Sequence, residues 1–298
     1  MSFYPEKVNF MFSYSSITQA KLLPTKLETQ NLFDSDYTDE GISPIDLFIK
    51  NTREINKIWI NTAELSSEFA SMILLSYVSA FESYMRAIIR GAVNIDRTCQ
   101  KIVASHQVSF AAAIYHKNSI LPEALLEEIA FSNADRVKSS LSTFLGIHVK
   151  QNEMVEFFKE FEKICQLRHC CTHRFGKLGA KNAINLGIDI HSAVLEKPLR
   201  LTKQDLENAL DTITDLAKAI NSLIFANLLE RTVCRKKTSK ADIESEIIDW
   251  KWNQNIDRKH FRPYYDLFSS KLDAQPTPKL GKIYDSFRGG NKVKTTLR

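Results

Sequence analysis

Apolar side chains recur at three- and four-residue spacing through most of residues 44–233, the pattern of helices that each bury one face. Ser43 before Pro44 predicts a helix start, because proline at the first helical position gives up no needed donor. Ile45, Phe48, Ile49, Ile55, Ile58 and Trp59 would form its inner face. A clearer stripe follows in Leu65, Phe69, Met72, Ile73, Tyr77, Ala80, Phe81, Tyr84, Met85 and Ile88, running up to Gly91. Over 92–150 the pattern breaks into shorter helices, one opened by Pro122 and another capped by Asn133 and ended near Gly146. A helix over about 152–173 would bury Met154, Phe157, Phe158, Phe161, Ile164 and Cys165. Three glycines and the alternating stretch from Ile184 to Val194 predict a loop with a small hairpin between Arg174 and Leu201. Thr202 then caps the last long helix, with Asp205 in its first turn and an inner face of Leu206, Leu210, Ile213, Leu216, Ile220, Leu223, Ile224 and Leu228. The expected fold class is all-α: an antiparallel helical bundle of four or more helices with inserted helices and a small hairpin.

Both ends depart from this pattern. Residues 1–43 predict an N-terminal segment with one short strand, through Val8, Phe10, Phe12 and Tyr14, and an acidic loop over 34–41. Residues 234–298 read as a basic, aromatic-rich tail, disordered from Gln275 onward by its Pro, Gly and Lys content. The whole chain carries +5, but residues 235–298 hold 15 Lys/Arg against 8 Asp/Glu, a local +7 that leaves −2 for the rest. A basic tail on a near-neutral body suits a polyanion, and Trp250, Trp252, Phe261, Tyr264, Tyr265, Phe268, Tyr284 and Phe287 could stack on single-stranded nucleic acid. Docking of the same aromatics onto the bundle is the competing reading.

With 44% hydrophobic residues and only 9 Gly and 8 Pro, the chain can fill a core and favours helices over turns. No uninterrupted apolar run reaches the roughly 18 to 20 residues that a bilayer requires, so no membrane partner is expected. The first residues lack a basic region followed by an apolar block, and the five cysteines are irregularly spaced, so a cytoplasmic protein is expected. Walker loops, dinucleotide fingerprints and serine nucleophile elbows are lacking.

The chemistry concentrates in Arg168-His169-Cys170-Cys171-Thr172-His173, at the end of the 152–173 helix. A guanidinium can hold a phosphate in its planar fork, and an imidazole can move a proton near neutral pH. Counting along the apolar face leads from Ile164 and Cys165 to Arg168, so the arginine needs a partner, a groove or an anion. An ion pair with a carboxylate such as Glu82 is the structural alternative. His173 lies about 140° round an ideal helix from Arg168, so the two converge only if the helix ends near Thr172 or a second chain completes the site. His169 and His173 share metal-ligand spacing, but no glutamate stands between them and no remote Cys or His pair has finger-like spacing.

On these residues the chain resembles the HEPN superfamily, whose signature is an arginine, a polar residue, three variable positions and a histidine. Phe161 to Leu167 before the motif and Arg174-Phe175-Gly176 after it fit that setting, and Leu74 to Arg86 is similar to an early bundle helix of its prokaryotic toxin and defence members. The resemblance covers roughly residues 44–233. It implies a metal-independent endoribonuclease, without cofactor, in which two bundles pair as a homodimer with a composite active site. Arg168 would hold the scissile phosphate of RNA, His173 would act as general acid or base in 2′-hydroxyl attack, and His169 would position the other two or the backbone. An antitoxin or sensor protein is implied as a further partner. The alternative is a non-catalytic HEPN-like module that binds RNA or protein.

Overall fold

The computed structural model describes Thr18 and residues 23–150, 154–234 and 243–296, with side chains to Asn291. The strand expected over Val8–Tyr14 lies outside the described residues. Two compact units are present, Met1–Gly41 and Ile42–Arg298. In the first, a short 3-10 turn at Thr29–Leu32 precedes the acidic loop, where Asp34 and Asp39 accept from the backbone of Asp36 and Gly41 at 2.9 and 3.1 Å.

The second unit is all helical among the described residues. Its elements are α1 (Pro44–Trp59), α2 (Ser67–Ile95), α3 (Arg97–Val103), α4 (Phe110–Tyr115), α5 (Ala134–Leu145), α6 (Val155–Arg174), α7 (Ala180–His191), α8 (Lys203–Val233), α9 (Gln254–Phe268) and α10 (Leu280–Thr296). Their starts are set by side chains that accept orphan backbone N–H groups. Ser43 accepts from Asp46, Ser66 from Phe69 and Asn133 from Arg136, while Thr202 and Asp205 form a reciprocal capping box. Gly146 ends α5 in the left-handed conformation, φ 65°.

α2 is the centre of the bundle, packed against α1, α3, α5, α6, α8 and α9. Ala70, Tyr77, Phe81, Met85, Ile88 and Ala92 are fully buried along it. It is long and apolar enough to cross a bilayer by composition alone, with 61% of its most apolar window buried inside the protein. Here most of its apolar surface is covered by other helices.

The described elements correct several expectations. α2 runs through Gly91 because the missing side chain leaves room for α9: a Cβ there would lie 2.3 Å from Leu267 Cδ1. Ile58, Met72 and Phe157 were expected to face inward but are exposed, because the inner faces of their helices are narrower than the apolar count implied. Pro122 opens a 3-10 turn, Leu121–Leu126. The hairpin expected between Arg174 and Leu201 is instead the helix α7, kinked at Gly187 (φ 105°), followed by a 3-10 turn. Its isoleucines alternate in sequence, yet Ile184 and Ile188 are also one helical turn apart.

The described part of the tail, residues 243–296, is also largely helical and packed. α9 lies against α1, α2 and α8, and α10 packs on α9. Trp250, Phe261, Tyr264, Phe268, Tyr284 and Phe287 are buried, so those aromatics fill core and offer no stacking platform. Two buried carboxylates tie this segment down. Asp46 of α1 accepts from Ser270 Oγ and from the backbone of Lys271 and Leu272, while Asp257 accepts from Tyr284 Oη and the backbone of Lys251 and Asn253. At the junction of α2, α3, α8 and α9, buried Arg231 reaches Asp96, Cys99 Sγ and the carbonyl of Leu145 at 2.5, 2.9 and 2.6 Å.

Candidate active site

α6 carries the motif on its last two turns. Phe158, Phe161, Ile164 and Cys165 are buried and anchor the helix, with the Phe161 ring 4.8 Å from that of Phe81 on α2. One turn beyond Ile164, Arg168 comes out half-buried at the rim of the bundle. It lines a cleft of about 580 Å³ whose walls also include His169, Gln166, Arg136, Lys181 and Asn182. Among the described residues its guanidinium has no hydrogen-bond or ion-pair partner. The ion pair considered with Glu82 is not formed. Glu82 feels Arg168 only as a nearby charge, and its Oε1 is buried without a hydrogen bond. Burial raises the Glu82 pKa above the ordinary carboxylate value, against the opposing pull of Arg168 and Arg86.

His169 is exposed on the same cleft. Its Nδ1 lies 3.2 Å from Asn182 Oδ1 on α7. α7 is held beside α6 by a tied loop: Leu178 donates to Lys197 O at 3.1 Å, Glu196 donates to Leu178 O at 2.9 Å, and Arg174 grips Glu196 through both carboxylate oxygens at 2.7 and 2.6 Å. The ring of His169 rests 4.6 Å from that of His173, centroid to centroid.

His173 itself is exposed and is not among the residues lining the cleft. α6 stays helical to Arg174, and Thr172 Oγ1 donates back to Arg168 O at 3.0 Å. The helix ends only at Phe175, left-handed at φ 51°, where the Gly176 N–H donates to Cys170 O at 3.0 Å. One chain therefore brings Arg168 and His169 together and leaves His173 on the adjoining surface. On a different face, Phe175, 82% exposed, and Met72, 61% exposed, line a small apolar hollow of about 220 Å³ whose walls do not include His173.

Cys170 is buried and Cys171 half-buried, and burial raises both thiols' pKa, so they act as small packing groups. Among the described residues no three His, Cys, Asp or Glu side chains come together as metal ligands. Comparisons with family models, curated proteins and solved structures found no match to this chain.

The sequence pattern missed Asn182 and Asn185, because their segment was expected to be a loop and hairpin. It also missed the role of Gln166 and Glu162. Their i, i+4 spacing on α6 was the available signal, since it puts both on one face.

Proposed function

We propose that the chain is a metal-independent endoribonuclease of HEPN type, a toxin or defence effector that cleaves RNA by attack of a ribose 2′-hydroxyl on the adjacent phosphate. The observation that carries this reading is the half-buried Arg168 guanidinium, without a protein partner among the described residues, sharing one cleft with the His169 imidazole. A desolvated cation with open donors is an anion site, and a phosphate in transfer is the anion it fits best. Arg168 would hold the scissile phosphate and stabilise the charge that builds on it. His173 would exchange protons with the reacting oxygens. Since His173 is exposed outside its own chain's cleft, and Phe175 and Met72 leave an apolar face open elsewhere on the bundle, pairing of two bundles is the arrangement that would bring it to a partner's cleft. The alternative, a non-catalytic module that binds RNA or protein, is favoured by one observation: Arg168 and His173 do not meet within one chain.

The test is cleavage of total RNA by wild type, Arg168→Ala and His173→Ala, with and without EDTA. Cutting that persists in EDTA and falls by at least 100-fold in both variants is the expected result, since general acid–base help is worth about 100- to 10,000-fold. Variants that cut like wild type would remove the site assignment. Binding of RNA without cleavage by any form would favour the alternative.

A further inference from the structure

A directional chain of hydrogen bonds runs from α5 through α6 and α7 to the His169 ring. A carboxylate only accepts, so Glu162 sets the sense of the chain. Its Oε2 accepts from the Ala134 N–H at 3.1 Å and its Oε1 from Gln166 Nε2 at 2.7 Å. The Gln166 amide is thereby turned so that Oε1 faces α7, where it accepts from Asn182 Nδ2 at 2.9 Å and Asn185 Nδ2 at 3.2 Å. The buried Asn182 amide, only 3% exposed, also reaches Gln166 O with Nδ2 at 3.3 Å. Both bonds occupy its donors and point Oδ1 at His169 Nδ1. An amide oxygen cannot donate, so Nδ1 must carry the hydrogen. A neutral imidazole has one N–H, which leaves the lone pair on Nε2.

We propose that Asn182 is a positioning residue that holds His169 in the Nδ1–H tautomer, and that His169 Nε2 is the general base of the Arg168 cleft. The catalytic half of this inference rests on the ribonuclease reading; the tautomer does not. Nε2 takes the proton of the ribose 2′-hydroxyl as O2′ bonds to phosphorus. The bond from phosphorus to O5′ breaks, and O5′ receives a proton from the second imidazole, the charged His173 that the paired bundle brings to the cleft. The products are a 2′,3′-cyclic phosphate and a 5′-hydroxyl, and proton exchange with water restores both rings. The charged groups around His169 are Arg168 and Glu162 on its own helix, Asp135 and Arg136 from α5 and Lys181 from α7, with His173 against its ring.

The experiment is a long-range ¹H–¹⁵N correlation on the full chain labelled at histidine nitrogens, with steady-state cleavage measured on the same samples. Wild-type His169 is expected as the Nδ1–H tautomer. Asn182→Leu should move it toward Nε2–H and lower kcat by about 10- to 100-fold with KM little changed, the usual scale for losing a group that orients a functional histidine. Asn182→Asp keeps an acceptor at the same place and should retain the wild-type tautomer. Gln166→Leu, at a half-buried position, removes the shorter of the two bonds that orient the Asn182 amide and should mix the tautomers in part, which keeps the test open if Asn182→Leu fails to fold. A wild-type Nε2–H signal, or an Nδ1–H signal unchanged in both leucine variants, overturns the positioning role. A shifted tautomer with wild-type kcat overturns the general-base role alone. Full activity of Arg168→Ala would instead sink the ribonuclease reading and leave the tautomer result standing.

Discussion

Glu82 and Arg168 sit in the same half-buried region without joining hands, and this separation has a measurable signature. Burial raises the Glu82 pKa, so the native state binds a proton over a pH range in which the unfolded chain has already released it. Stability contributed there is present at low pH and is lost as pH rises through the native pKa. Glu82→Gln is therefore expected to melt above wild type at pH 7 and level with it below about pH 4, where both forms are neutral. Equal offsets at both pH values would refute the assignment. The same variant should bind an oligoribonucleotide more tightly at low salt, because one negative charge beside Arg168 is gone. At this scale the sequence was informative about identity and poor about partners. Arg168, His169 and His173 stood out by residue type and spacing, and counting along the face of α6 put Arg168 inward, where the structure leaves it half-buried at the rim. That Asn182 would meet His169 was not legible, because an asparagine's partner depends on which helix lands beside it.

Helices with a long, regular apolar stripe are legible in the sequence. α1, α2, α6 and α8 have starts marked by their own cap residues or inner faces marked by spacing. Elements with few buried positions, and boundaries set by a distant contact, are not legible. α2 continues past Gly91 because that glycine lets Leu267 of α9 approach its backbone. Gly91→Leu should push α9 away and destabilise the protein by about 1–3 kcal/mol, the range for overpacking a core contact. A urea midpoint equal to wild type would show that α9 can shift freely. α7 buries Ala183 and Asn182 but exposes Ile184, Ile188 and Ile190, so its hydrophobic pattern did not report its inner face. α10 was expected to be disordered by composition, yet Tyr284 and Phe287 at i, i+3 give it a buried edge against α9.

For the whole molecule, the C-terminal segment is part of the fold. Asp46, Asp257 and Arg231 bind it through buried polar contacts, and its aromatics complete the core. A chain ending at residue 242 should lose cooperative unfolding by circular dichroism; a sharp transition with only weakened RNA binding would contradict this account. Pairing is tested at Phe175. A bulky residue at φ 51° that also exposes its ring is unfavourable in an isolated bundle by about 1–3 kcal/mol. If two bundles pair over this face and cut RNA as proposed, Phe175→Glu should give monomers by light scattering and abolish the cutting, while Phe175→Gly should raise the melting temperature and still weaken pairing. Wild-type-like association of the glutamate variant would exclude pairing over this face, and a monomeric wild type would exclude the pairing itself.

By itself the sequence determined the helical class, the cap residues and most of the inner faces of the long helices. These are local properties: periodicity and capping act within a few residues and leave a record in order alone. Tertiary structure decided that the basic tail is core, that α7 walls the cleft, that Arg168 keeps its donors free of Glu82, and that His169 rather than His173 shares the arginine's cleft. Those outcomes depend on burial and hydrogen-bond partners drawn from distant segments, and free energy of that kind is defined only once the helices are packed.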